Sequence, residues 1–132
     1  MAANTTPVTL KVKDFEDREV LLVDYTFTQT IDREGQISGI PRGGRIRIRV
    51  KAMNDGNNQL LQWMLSPNDP RDMEIEFQNT VDGKTMKKIE GTGCYCVDYT
   101  ETWEDGKEHY EEMEVVCQTL KNGPVSFENP WK

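Results

Sequence analysis

The sequence predicts a mostly β protein, a closed barrel of about seven strands with one flanking α-helix. Three observations carry that expectation. Apolar and polar residues alternate with the two-residue period of strands along much of the chain. The dipeptides Asp82-Gly83 and Asp105-Gly106 each lie between two such runs, where a tight hairpin turn belongs. Only residues 57–65 carry convincing helical spacing. Strands this long leave open edges unless the sheet closes on itself, and closure is what favours a barrel.

Residues 1–6 read as a frayed tail. Val8, Leu10 and Val12 then alternate with polar partners as a first strand, followed by a turn over residues 14–17. A long second strand is expected over residues 18–31, with Tyr25 and Phe27 on one face. Residues 32–44 change character: Gly35, Gly39, Pro41, Gly43 and Gly44 make a connection too long to be idle in a compact domain. Glycine and proline give this loop little preference of its own, so its order is expected to come from a partner.

Residues 45–52 alternate without error. Arg45, Arg47, Arg49 and Lys51 share one face, and Ile46, Ile48, Val50 and Ala52 share the other. In the helix, Leu60, Leu61, Met64 and Leu65 form the apolar stripe, with Trp63 at its border. Asp55 or Asn57 can cap the first turn, and Pro67 forbids continuation. Two hairpins follow, residues 73–79 with 85–92, and residues 94–103 with 109–120. Asn122-Gly123-Pro124 ends regular structure and leaves a short tail. The 132 residues make one domain, large enough to hold a core without metals or disulfides.

Charge narrows the function. The net charge is −7, with 16 Lys and Arg against 23 Asp and Glu. Nucleic-acid affinity rests on cationic neutralisation of phosphates, and docking on anionic lipid needs the same sign, so neither is expected. The charge is nevertheless blocky: residues 42–51 hold five cations and no acid, while residues 101–114 carry seven acids against one lysine. Four cations at sheet spacing suit an acidic stripe, such as Glu112 and Glu114, on another subunit. The N-terminus lacks the basic start and apolar stretch of a signal peptide, and no run is long enough to span a bilayer. Synthesis in the cytoplasm is expected, with any export through a dedicated machine.

Catalysis finds little footing. No Gly-x-Ser-x-Gly elbow is present, and His109 is the single histidine. Gly91-Thr92-Gly93 leads into a strand, not a helix, which removes the phosphate-binding physics of a dinucleotide loop. Glu111 and Glu112 point to opposite sides of a strand and cannot act together. No cofactor is expected, and a Cys-x-Cys metal site would want ligands beyond His109. Cys94, Cys96 and Cys117 are expected to be free thiols. A register that sets Cys94 opposite Cys117 would match Val97 to Glu114 and Tyr99 to Glu112. The register shifted by one pairs Tyr95 with Val115 and Val97 with Met113, an apolar match that sends Cys94 and Cys117 to opposite faces; it is the better supported.

Several segments together carry a resemblance. They are Pro41-Arg42-Gly43-Gly44-Arg45-Ile46-Arg47-Ile48, Leu60-Leu61-Gln62-Trp63-Met64, Cys94-Tyr95-Cys96-Val97-Asp98-Tyr99 and Glu128-Asn129-Pro130-Trp131. In that order and spacing they resemble the Hcp/TssD tube proteins of type VI secretion systems, in the branch found in Bacteroidota. The resemblance implies a β-barrel with one helix, assembled as six-membered rings that stack into a tube inside a contractile sheath. It implies sheath, spike and effector proteins as partners, release without a signal peptide, and no catalytic residue. By position, the loop residues Asp32, Arg33, Glu34, Gln36, Ile37, Ile40 and Arg42 match the segment that reaches a neighbouring ring. Two other classes stand beside this one: a small ligand-binding β-barrel and a cytosolic enzyme of unknown type.

Overall fold

The structure is a computed structural model, and it describes residues 7–37, 39, 43–53, 55–79, 81–82 and 84–130. In chain order the elements are β1 (Val8–Val12), β2 (Arg18–Tyr25), β3 (Arg45–Lys51), α1 (Gln59–Met64), β4 (Arg71–Gln78), β5 (Thr85–Thr102), β6 (Tyr110–Asn122) and β7 (Val125–Glu128). Every strand pair is antiparallel, in the order β3-β2-β1-β4-β5-β6-β7. A further β3–β6 pairing closes the first six strands into a barrel, and β7 is added outside the ring on β6.

The alternation read in β3 is the barrel wall itself. Ile46, Ile48 and Val50 are buried, while the cations between them face outward. Leu10, Ile75, Met113 and Val115 meet them inside, so side chains fill the interior. Burial of side chains this size contributes roughly 1.5–3 kcal/mol each.

Seven strands are present among the described residues, but not the seven expected. The second strand stops at Tyr25, and Ile31 re-enters sheet pairing only as a single bridge to Ile37. Residues 85–92 and 94–103, expected as two strands, run together as β5. Gly93 permits this by adopting a left-handed φ of +63°. That conformation opens a bulge opposite Asp72, whose carboxylate accepts the Gly93 N–H at 3.1 Å. The count is restored by β7, where the sequence suggested only a tail. Gly123 (φ +61°) and Pro124 form a two-residue turn that returns Val125 alongside Asn122.

The helix is shorter than expected and turns a different face inward. Leu60 and Trp63 are buried, whereas Leu61 and Leu65 are exposed. Six residues make fewer than two turns, so the inward face is narrow: Leu60 and Trp63 fill it, with Met64 packed against the core beside them. Trp63 is held from two sides: its indole N–H donates to the Asp69 carbonyl at 2.8 Å, and Phe15 meets it edge-on at 6.1 Å. Asp55 and Asn57 act just ahead of the helix. The Asp55 carboxylate accepts the Asn57 N–H, and the Asn57 side-chain oxygen accepts that of Gln59.

The cysteine register is the one the sequence argued against. Cys94 lies directly opposite Cys117, and Cys96 opposite Val115. The apolar mismatch that disfavoured this register does not arise, because the ladder shifts by one residue between Cys96 and Asp98. Val97 is the extra residue of that bulge and is exposed, and beyond it Tyr99 meets Met113. The register the sequence preferred holds on neither side of the bulge: Tyr95 lies opposite Val116, not Val115, and past Val97 the ladder shifts the other way, to Tyr99 with Met113.

Candidate assembly surfaces

On the outer wall, Arg45, Arg47, Arg49 and Lys51 project as expected. The acidic partners of the three arginines stand on the same chain, because closure of the barrel puts Arg47 opposite Glu114 and Arg49 opposite Glu112. Arg45 reaches Glu114 at 3.3 Å, and Arg49 reaches Glu112 at 3.0 Å. Arg47 lies 3.1 Å from Asp24 on β2 and 3.7 Å from Glu112. The hydrogen bond and charge of Asp24 raise the Arg47 pKa. The Arg49 guanidinium also stacks over the Tyr110 ring at 4.3 Å. What the sequence suggested as a seam between subunits is thus first a ladder of ion pairs within one chain. Between strands β2 and β6, β3 is flanked on both sides and presents a face, not an edge.

Glu111, one residue from Glu112, points into the barrel and is 4% exposed, as is Arg18 across from it. The Arg18 guanidinium donates to the Glu111 carboxylate and, at 2.8 Å, to the Lys51 carbonyl. The Tyr99 hydroxyl donates to the other Glu111 oxygen at 2.5 Å. Burial, then the neighbouring Glu111 carboxylate, pushes the Tyr99 phenol up. This network closes one end of the core and had no counterpart in the sequence reading. Arg18 begins an apolar strand and Glu111 sits in an acidic run, so neither looked inward on its own.

The long loop is partly ordered by itself. Asp32, Arg33, Glu34, Gln36 and Ile37 belong to a compact tip between the bridged Ile31 and Ile37. The Asp32 carboxylate accepts the N–H groups of Glu34 and Gln36 at 3.0 and 2.9 Å. The Asp32 N–H donates to the Gln36 carbonyl at 2.8 Å, and Gly35 turns the chain at φ +83°. Order in this stretch therefore does not wait wholly on a partner, as the sequence suggested. Ile31 and Ile37 are largely exposed on the tip. Ile40 and Arg42 lie outside the described residues.

Where the loop rejoins the barrel, two glycines are needed for close approach. A Cβ on Gly43 would strike the Phe27 ring at 2.1 Å. One on Gly44 (φ +83°) would meet the Asn129 side chain at 2.5 Å and the Cys117 carbonyl at 2.9 Å. Asn129 anchors the end of β7 by donating to the Cys117 carbonyl at 2.8 Å. Phe27 packs on Phe127 at 4.8 Å, which ties this corner to β7. The doubled glycine before the Arg-Ile alternation was the available signal for this corner.

Besides the two ends of β5, where it outruns β4 and β6, two strand edges have no strand beside them among the described residues. One is the outer edge of β7. The other is the edge of β2 that faces away from β3. It meets β1 only at Thr9↔Glu19 and Leu10↔Arg18, so Val20–Tyr25 runs past its neighbour. A groove of about 980 Å³ opens there, lined in part by Val8, Val20, Leu22, Val23 and Phe77. Among the described residues, no three His, Cys, Asp or Glu side chains are arranged to hold a metal ion.

The fold is thus of the class of closed antiparallel β-barrels, six strands with one added outside, one short helix and a charged outer wall. The chain belongs to the TssD family: the family model for haemolysin co-regulated protein Hcp (TssD) matches residues 5–132. Comparison with curated proteins by sequence finds no match. Among solved structures, Hcp1 from Flavobacterium johnsoniae is 28% identical with a TM-score of 0.86, over 93% of this chain and 99% of that one. Hcp1 from the E. coli EAEC 042 pathovar shares the fold at 13% identity and a TM-score of 0.76, over 97% and 100%. Hcp1 from Salmonella typhimurium does so at 12% and 0.72, over 92% and 91%.

Proposed function

We propose that this chain is a structural subunit of the inner tube of a type VI secretion system, joining copies of itself into rings that stack. The observation that carries the reading, beside the family, is the pair of open edges on β7 and β2. An exposed strand edge is a template for another strand, and monomers normally blunt or cover it. Two different edges on one chain make a head-to-tail contact, which closes into a ring when the rotation allows. The six-fold number follows from the family likeness. Arg45, Arg47, Arg49 and Lys51, with Glu112 and Glu114, then form a charged face beside the seam. The loop carrying Asp32, Arg33, Glu34, Gln36, Ile37, Ile40 and Arg42 reaches the next ring, where exposed Ile31 and Ile37 offer apolar contact.

In this role the chain needs no active site and no cofactor. Sheath, spike and effector proteins are its partners, and it leaves the cytoplasm through the machine it builds. The ligand-binding barrel is disfavoured because side chains fill the interior.

A proline tests the edge. The Asn129 N–H points to the Gln118 carbonyl on β6, so by alternation the Ser126 N–H points outward. Ser126→Pro removes an outward donor and leaves the β6–β7 ladder intact. Light scattering is expected to show rings for the native chain at low salt and folded monomers for the variant. A native chain that stays monomeric at high concentration overturns the tube reading.

A further inference from the structure

The pair Cys94 and Cys117 is buried in the barrel wall, and no part of the proposed tube role uses it. The two residues are directly opposed on β5 and β6, both with zero exposure. The Cys117 N–H donates to the Gly44 carbonyl at 2.7 Å, and its own carbonyl accepts from Asn129. Both backbone groups of Cys117 therefore point away from β5. That makes Cys94 and Cys117 a non-hydrogen-bonded pair, the cross-strand position where opposed Cα atoms come to about 4.5 Å. This separation falls within the range that a disulfide spans. The sulfurs already touch, at 2.8 Å.

The room for them is supplied by Gly91. A Cβ there would meet the Cys94 sulfur at 2.6 Å and the Cys117 sulfur at 2.9 Å. Cys96 lies on the same strand but is directed elsewhere, to the Asp98 carbonyl at 3.5 Å.

We propose that Cys94 and Cys117 form a built-in oxidation site that closes to an intrachain disulfide across β5 and β6, with Cys96 remaining a thiol. The oxidant is a small-molecule disulfide such as oxidised glutathione. One protein thiolate attacks it, expelling one glutathione thiolate and leaving a mixed disulfide. The second protein thiolate then attacks the protein sulfur of that mixed disulfide and expels the other glutathione. The two protein sulfurs lose two electrons and two protons in all, and the glutathione disulfide is reduced to two thiols.

Burial decides when the exchange can happen. A hydrogen bond to Cys117, and then burial, hold the Cys94 thiol protonated well above the ordinary cysteine range. A folded, reduced barrel therefore resists exchange, because the thiolate is the attacking species. The bond forms when β5 and β6 come together in an oxidising buffer, and the closed barrel then shields it from reductants in the same way.

The test is refolding from urea. One sample refolds with reduced and oxidised glutathione and one with excess dithiothreitol, and each is then assayed under denaturing conditions. The glutathione sample is expected to be lighter by two hydrogens, with one titratable thiol in place of three. Peptide mapping is expected to join Cys94 to Cys117, and its urea midpoint is expected to exceed that of the reduced sample. Cys96→Ser retains the bond, and Cys117→Ser abolishes it. If Cys117→Ser fails to fold, peptide mapping of the native chain alone decides. Three free thiols after glutathione refolding, a bridge that uses Cys96, or stable glutathione adducts on Cys94 would each overturn the proposal.

Discussion

Glu111 and Glu112 are adjacent on β6, yet each anchors an ion-pair system of a different kind. Glu111 turns inward to Arg18 and Tyr99, away from water. Glu112 turns outward to Arg47 and Arg49, where the arginine side chains are 54% and 35% exposed. The alternation of a strand assigns the two faces, and solvent decides what each pairing is worth. Outside, water and salt screen the charges, and exposed pairs contribute little. Inside, both charges have lost their hydration, so each depends on the other. The lesson is that the same two residue types serve as cargo on one face and as structure on the other.

The largest expected effect breaks the inner system. Glu111→Gln leaves the Arg18 cation buried without a counter-charge and is expected to cost about 3–5 kcal/mol in urea denaturation. Replacing both partners, Arg18→Met with Glu111→Leu, is expected to recover most of that loss, since no unpaired charge remains. Should Glu111→Gln cost no more than Glu112→Gln, burial is not what separates the two faces.

A smaller effect comes from alkaline pH, again through the interior. Burial pushes the Cys96 thiol from 9.0 up to about 11, and Tyr99 moves in the same direction. Both groups are held in their neutral form by the fold and ionise more readily when unfolded. For Cys96 that stabilisation is complete below pH 9 and is lost as pH rises toward 11, and Tyr99 adds to the loss at still higher pH. The urea midpoint is expected to fall across that window, and Cys96→Ala to flatten part of the fall.

The smallest effect on folding lies outside. Arg47→Glu with Arg49→Glu replaces attraction by repulsion beside Glu112, yet is expected to lower the urea midpoint by a small fraction of the Glu111→Gln shift. Its readout is assembly: folded monomers are expected at salt where the native chain forms rings. A variant that still assembles removes the basic stripe from the interface and leaves the strand edges as its basis.

Much of this was legible in the chain. The two-residue period of β3 marked Ile46, Ile48 and Val50 as core and the arginines as surface, because a strand's faces are set by local geometry alone. The glycine-rich loop and the single helix were equally plain, since turn residues and helical spacing are local signals. What failed to show were features set by which strand meets which. The Val97 bulge changed the cysteine register, and that register brought Cys94 and Cys117 together. Barrel closure placed Glu112 and Glu114 beside the arginines of their own chain, where the sequence suggested another subunit. The contact between Arg18 and Glu111 spans 93 positions. Periodicity tells a residue which way it faces, but only the closed sheet decides what it faces, because register and closure are settled by packing among segments far apart in the chain.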